Sequence, residues 1–506
     1  MWENILSNVE QVNSFLNSIV WGWPVVILIL GTGILLTIRT RFLQVTHFGE
    51  SLNTTIISAL KSLGRRKSKD TRLNSVSQFE AFSTAISGTV GTGNIIGVVS
   101  AILTGGPGAV FWMWVSAFFG MVTNYSENVL GLYFRRRDKK GNLSGGSFYY
   151  IANGLKWKWL AYCAAIFCVF AAIGMSGVQT NKISGTLAQT SATYFNVPND
   201  TMTKLLIGIV VAAIAAVIII GGIQRIGKVT SMLVPFMSLL FIILALIAIG
   251  MHFSVVPEAL GLIFSKAFNF QAVGGGIMGY TFAQVITKGM ARGVFSNEAG
   301  LGSSVIAHSA SETREPVKQG LWGVFEVFFD TFIICTLTAL TFLTTFDLNS
   351  LTGDMEDAKM SMSMFSTNFG DFGTIAFSII LPLFAFTTII AWSYYGEKAI
   401  EFCFGKTSDR TRGIITTVFK IVYVLLIAVS ATIQSDLIWA IDDTFNGLMA
   451  VPNLICLVAL SGLVAKITKN YFDRKRGKNV EPMLSAYSDM NEEFKQDIMS
   501  EDVEMK

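Results

Sequence analysis

The chain has 506 residues, of which 52% are hydrophobic and only 14% charged, with a formal net charge of +4. A soluble protein carries about 25% charged residues, so the deficit excludes a row of soluble domains and points to one domain of many membrane spans. Basic residues confined to short stretches between apolar runs exclude nucleic-acid binding. Five cysteines (Cys163, Cys168, Cys335, Cys403, Cys456) without a CxxC pair, and three scattered histidines, give no zinc site and no disulfide framework.

In chain order, eleven apolar stretches read as spans: about 19–38, 80–103, 107–134, 159–190, 203–223, 229–251, 276–311, 318–346, 371–397, 413–432 and 436–466. Each is long enough for the bilayer core. The first is not a secretory signal, because Glu3 and Glu10 precede it and no Lys or Arg does. Basic residues crowd every second connection: Arg39 to Arg72, Arg135-Arg136-Arg137, Arg225 with Lys228, Arg314 with Lys318, Lys406 to Arg412, and Lys466 to Arg476. The alternate connections are nearly free of them, Lys266 and Lys359 excepted, and the one at 347–360 is acidic. The positive-inside rule then predicts an N-terminus outside and a C-terminus in the cytoplasm. Residues 1–79 read as one helix and a basic loop, 80–467 as a ten-helix core, and 468–506 as a polar cytoplasmic tail, solvated and at most loosely helical.

A spanning helix must satisfy its own backbone, so two stretches stand out. Ser87-Gly88-Thr89-Val90-Gly91-Thr92-Gly93-Asn94-Ile95-Ile96-Gly97 sits in the middle of the second span. Each glycine there costs a helix roughly 1 kcal/mol against alanine. Unwinding would free carbonyls for a cation and amides for a carboxylate; close helix packing through small residues is the other reading. Gly293 to Ser304, in the seventh span, again combines small residues and hydroxyls, now with Glu298. An acid inside a membrane reads as functional: Glu298 pairs with Arg292 or Lys288, holds an ammonium, binds a proton, or serves structure alone. The two stretches open spans five apart and of opposite direction, which predicts an inverted repeat. Gln179 in the fourth span, and Thr387, Thr388 and Trp392 in the ninth, are further polar or capping candidates, with helix packing and back-bonding as the alternatives. Glu326 and Asp330 are buried acids whose partners the sequence does not name.

Pro107-Gly108-Ala109-Val110-Phe111-Trp112-Met113-Trp114 resembles the hallmark of the alanine-or-glycine:cation symporter family. Gly91-Thr92-Gly93-Asn94, Phe295 to Gly302, and Phe384-Ala385-Phe386-Thr387-Thr388 with Trp392 are similar to that family too, over about residues 80–465. The resemblance implies an all-α polytopic protein of leucine-transporter fold, two inverted five-helix repeats with one extra N-terminal helix. It implies import of alanine or glycine, in some members glutamine, driven by sodium or sometimes protons, with no enzymatic activity and no cofactor beyond the co-transported ion. Carried over residue by residue, Thr92, Gly93 and Asn94 meet the substrate carboxylate. Gln179, Phe295, Ser296 and Trp392 line the remaining pocket. The backbone oxygens of Ser87 and Val90 and the hydroxyls of Thr387 and Thr388 hold sodium. The expected partners are a small neutral amino acid, sodium or a proton, and the lipid bilayer of the cell membrane. An uncoupled channel is the competing class; it would need a continuous polar stripe along several spans, whereas the polar residues here concentrate at two points. No HExxH, nucleophile motif or acid cluster suggests an enzyme.

Overall fold

The computed structural model describes residues 2–57, 75–137, 141, 143–268, 282–348, 356–433 and 435–504. Much of the basic loop after span one, the glycine-rich start of span seven, and Asp354 lie outside the described residues.

The described chain is almost wholly helical. In order, the principal helices are α1 (Trp2–Val20), α2 (Trp23–Arg39), α3 (Gln78–Thr89), α4 (Ile96–Gly105), α5 (Gly108–Tyr133), α6 (Lys158–Phe195), α7 (Thr201–Ile219) and α8 (Gly222–Met251), with shorter connecting helices at Leu43–Thr46, Phe48–Leu52, Ser147–Asn153 and Val256–Ala267. Then follow α9 (Phe282–Asn297), α10 (Ser304–His308), α11 (Pro316–Val327), α12 (Thr336–Thr345), α13 (Asp357–Phe369), α14 (Asp371–Cys403), α15 (Asp409–Ser430), α16 (Ser435–Lys475) and α17 (Ser488–Glu504). Among the described residues, eight helices are long and apolar enough to cross a membrane, counting α1–α2 together and α11 through α12 as one each. The broken pairs α3–α4 and α9–α10, with α5, are helical where the sequence reading places its other three spans.

Local chemistry sets the starts. Ser77 caps α3 in a capping box, its hydroxyl accepting from the Glu80 amide at 3.2 Å while Glu80 Oε2 accepts from the Ser77 amide at 2.9 Å. Asp200 and Ser408 cap α7 and α15 with a side-chain oxygen alone, accepting from the Thr203 and Thr411 amides. The outer faces of α7, α8 and α15 expose Val210, Val217, Ile243, Leu246, Ile421 and Leu425. Such a surface is costly in water and favourable against acyl chains. The core lies inside: α6 packs on α14 and α16, α5 on α9 and α11, and α3 touches α8, α10 and α14. Both interrupted crossings are therefore sheltered from lipid.

Three features depart from the sequence reading. Residues 2–20 form a helix ahead of the first span, packed along α16, with Trp21 Nε1 donating to the Asp443 carbonyl at 3.0 Å. A π-helical segment, Phe328–Cys335, joins α11 to α12 in mid-crossing. The tail is docked rather than solvated. Leu484, Met490 and Phe494 cluster with Leu143. Glu493 and Asp497 pair with Arg137 and Arg314 at 2.8 Å each. An acidic amphipathic segment beside basic loops has both apolar contact and charge to hold it.

Candidate functional site

The first interruption begins where α3 stops at Thr89. Gly91 is extended (φ −130°, ψ −152°), Thr92–Asn94 make one tight turn, and α4 starts at Ile96. The side chain of Asn94 replaces the lost helical bond, its Oδ1 accepting from the Gly91 amide at 2.9 Å. Glycine is required at 91 by close approach: a Cβ there would lie 2.6 Å from Thr388 Oγ1 and 3.3 Å from Gln179 Nε2. At 93 a Cβ would press on the Phe295 ring at 3.2 Å.

The second interruption follows Asn297. Glu298 adopts a left-handed conformation (φ 55°), and Gly300 and Gly302 are left-handed too (φ 95° and 73°). A non-glycine residue there costs of order 1–3 kcal/mol and persists only when its surroundings hold it. Glu298 is held: Oε1 accepts from Trp392 Nε1 at 2.9 Å and Oε2 from Ser303 Oγ at 2.5 Å. The loop amides of Gly300 and Gly302 both donate to Glu127 Oε1, at 3.1 Å each. Asn453 fixes the arrangement by donating to Glu127 Oε1 and to the Gly300 carbonyl, while accepting from the Tyr150 hydroxyl.

The two interruptions meet at Asp330, on the π-helical segment. One carboxylate oxygen accepts from Asn94 Nδ2 at 2.5 Å, and the other from Ser296 Oγ and Thr331 Oγ1 at 2.9 Å. The π-turn shifts the register so that Asp330 reaches both breaks. Thr338 Oγ1 donates to the Asn94 carbonyl at 2.8 Å.

The other anticipated residues surround this junction. Gln179 Oε1 accepts from the Thr92 amide at 3.3 Å, and the Thr92 hydroxyl is buried with no hydrogen-bond partner among the described residues. Thr388 Oγ1 donates to the Ser87 carbonyl at 2.9 Å, bringing two oxygens together at the carbonyl end of α3, beside Val90. Thr387 lies in the same layer, but its hydroxyl donates to the Phe384 carbonyl at 2.9 Å and faces Met237 Sδ. Phe295 stacks on Trp439 with centroids 5.6 Å apart. Arg292 lies over both rings and pairs with Asp443 at 3.2 Å, so its partner is Asp443 and not Glu298. Thr92, Asn94, Gln179, Ser296 and Trp392 are at most 1% exposed.

Residue-by-residue reading missed Glu127, Asn453 and the partners of Asp330. Glu127 was detectable as an acid within an apolar span. Asn453 and the role of Asp330 carried no local signal. Glu326 finds His308 Nε2 at 2.7 Å, with Gln319 on the other ring nitrogen at 2.6 Å.

Two interrupted helices, five spans apart, joined inside a helical bundle define a membrane transporter of the leucine-transporter fold. The bundle is similar to the crystal structure of MhsT in complex with L-phenylalanine, with TM-score 0.57 and 13% identity, covering 78% of this chain and 99% of that one. The family model for the sodium:alanine symporter family matches residues 6–485, and the chain belongs to that family. It is 40% identical over 482 residues to the sodium/alanine symporter AgcS of Methanococcus maripaludis, covering 94% of this chain and 99% of that relative. It is 39% identical over 469 residues to an uncharacterized transporter of Haemophilus influenzae, covering 92% and 97%.

Proposed function

We propose that the protein is a sodium-coupled symporter importing a small neutral amino acid, alanine or glycine foremost and glutamine in the wider range. The observation that carries this reading is the bridge at Asp330, which ties Asn94 of one interruption to Ser296 of the other. A zwitterion has no net charge, yet both its ends must be compensated on leaving water. Amides and hydroxyls around Thr92, Gly93 and Asn94 serve the carboxylate. Gln179, Phe295, Ser296 and Trp392 surround the amino end and a small side chain of the substrate, and Glu298 fixes the Trp392 indole. The carbonyl end of α3 carries the negative end of its dipole. There the oxygens of Ser87, Val90 and Thr388 take sodium, Thr388 foremost because its hydroxyl already faces Ser87, and Thr387 joins them only when its hydroxyl turns away from the Phe384 carbonyl and Met237.

Both ligands use the α3–α4 interruption, so binding of one pre-orders the site of the other, which is a coupling free energy. Each sodium ion entering with the membrane potential contributes roughly 2.3 kcal/mol per 100 mV. The protein lies in the cell membrane with its N-terminus outside and its basic connections and tail in the cytoplasm. Radiolabelled alanine and glycine uptake into proteoliposomes, with sodium and proton gradients imposed separately, tests this. Concentrative uptake is expected with the sodium gradient. Uptake driven by the proton gradient alone, or equilibration without any gradient, would replace the reading by proton coupling or by a passive pore.

A further inference from the structure

At the basic end of the bundle, the end of α2 and the last turns of α16 enclose a groove of about 500 Å³ lined by Arg39, Arg41, His47, Lys466, Phe472 and Arg476 among others. We infer that this groove is a binding site for the headgroup of an anionic phospholipid.

Charge comes first. The lining brings six Lys and Arg side chains together with one acid, Asp473. Asp473 is already used twice, by Lys469 at 3.0 Å and Lys478 at 2.8 Å. Lys475 beside them is taken by Glu50 at 2.6 Å. Arg39, Arg41, Lys466 and Arg476 form no ion pair among the described residues. Unpaired like charges around one concavity repel each other, and a phosphate placed between them relieves that repulsion.

Shape comes second. The His47 and Phe472 rings, both in the lining, lie with centroids 4.0 Å apart and form an aromatic wall. A Cβ built at Gly462 would meet nothing within 4 Å among the described residues, so α16 leaves space there.

The surface beside the groove distinguishes a lipid from a free anion. Ile34 and Ile38 precede Arg39 on one face of α2, and Val458 lies one turn before Gly462 on α16; all three are exposed. The cationic groove thus continues into a strip that faces acyl chains. A free phosphate or a nucleotide has no use for that strip, whereas a phospholipid fills both halves. Basic pockets between spanning helices are a recurrent way to hold anionic lipid headgroups. The site depends on the chain spanning a membrane and not on what the chain transports.

The full-length protein, purified in detergent, is exchanged into mixed micelles of equimolar phosphatidylglycerol and phosphatidylcholine, and retained lipid is counted by native mass spectrometry. Retention of phosphatidylglycerol over phosphatidylcholine is expected by roughly tenfold or more, about the discrimination that each 1.4 kcal/mol of preference confers. The combined variant Arg39→Gln, Arg41→Gln, Lys466→Gln, Arg476→Gln should lose that preference. The matched variant Lys228→Gln, Lys318→Gln, Lys406→Gln, Arg410→Gln removes as many exposed charges outside the groove and should keep it. Equal retention of the two lipids by the unmodified protein would overturn the assignment. So would an undiminished preference in the first variant, equal loss in both variants, or displacement of the lipid by inorganic phosphate. Should the first variant fail to fold, Arg39→Gln with Arg41→Gln alone, outside the last helix, gives the same reading through a partial loss.

Discussion

Asn94 and Thr388 are the single side chains on which the proposed site is most directly tested. Asn94 accepts from the Gly91 amide and donates to Asp330, so it both shapes the first interruption and joins it to the second. Leucine at 94 strands a buried amide and a buried carboxylate, at about 1–3 kcal/mol for each unsatisfied group. Uptake by Asn94→Leu should be abolished, with the protein still present in the membrane fraction; ordinary alanine uptake by that variant would remove the first interruption from the site. Thr388 offers one hydroxyl oxygen beside Ser87. Thr388→Val keeps the volume and removes the oxygen. At about 1–1.5 kcal/mol for the lost interaction, the sodium concentration for half-maximal uptake should rise roughly tenfold. Sodium titration of alanine uptake measures this, and an unchanged half-maximal concentration would transfer the ion elsewhere.

At the level of elements, the two interruptions are built differently. The α3–α4 break is held from within by Asn94 and from outside by Gln179 and Thr338, while the α9–α10 break, where Asn297 Oδ1 accepts from the Ala299 amide, sends two further loop amides and a carbonyl to Glu127 on α5 and Asn453 on α16. The second break therefore depends on neighbouring helices staying in place. Glu127→Leu leaves two loop amides and the Asn453 amide short of an acceptor, in surroundings where water cannot substitute. A loss of several kcal/mol is expected, read as a fall in the thermal unfolding midpoint in detergent. Glu127→Gln, which keeps one acceptor oxygen, should recover part of it. Equal midpoints for Glu127→Leu and the unmodified protein would show that the loop needs no such anchor.

For the whole molecule, the basic end is a working surface and not just a topological marker. Helix α17 lies across it, held by the Arg137–Glu493 and Arg314–Asp497 pairs and a small apolar cluster. Partly exposed ion pairs contribute about 0–1 kcal/mol each and weaken with salt. Glu493→Gln with Asp497→Gln should thus make the tail more open to limited proteolysis, most clearly at low ionic strength where the native pairs are strongest. Identical cleavage rates at all salt concentrations would mean that the apolar cluster alone holds the tail.

Much of this molecule was legible without coordinates, because a bilayer leaves few choices. Span length, the alternation of basic connections, and glycine with hydroxyls in mid-span each follow from local physics: hydrophobic thickness, charge at the membrane surface, and the cost of unpaired backbone. Those constraints placed the eight long apolar helices and both interruptions. They did not assign partners. Arg292 sits six residues from Glu298, yet it pairs with Asp443, some 150 residues away. Asp330 joins the two interruptions only because a π-turn swings it there, and Asn453 reaches Glu127 only because α16 packs against α5. A hydrogen bond acts over about 3 Å, and which side chains come within that distance is set by the packing of helices far apart in the chain, which only the tertiary structure decides.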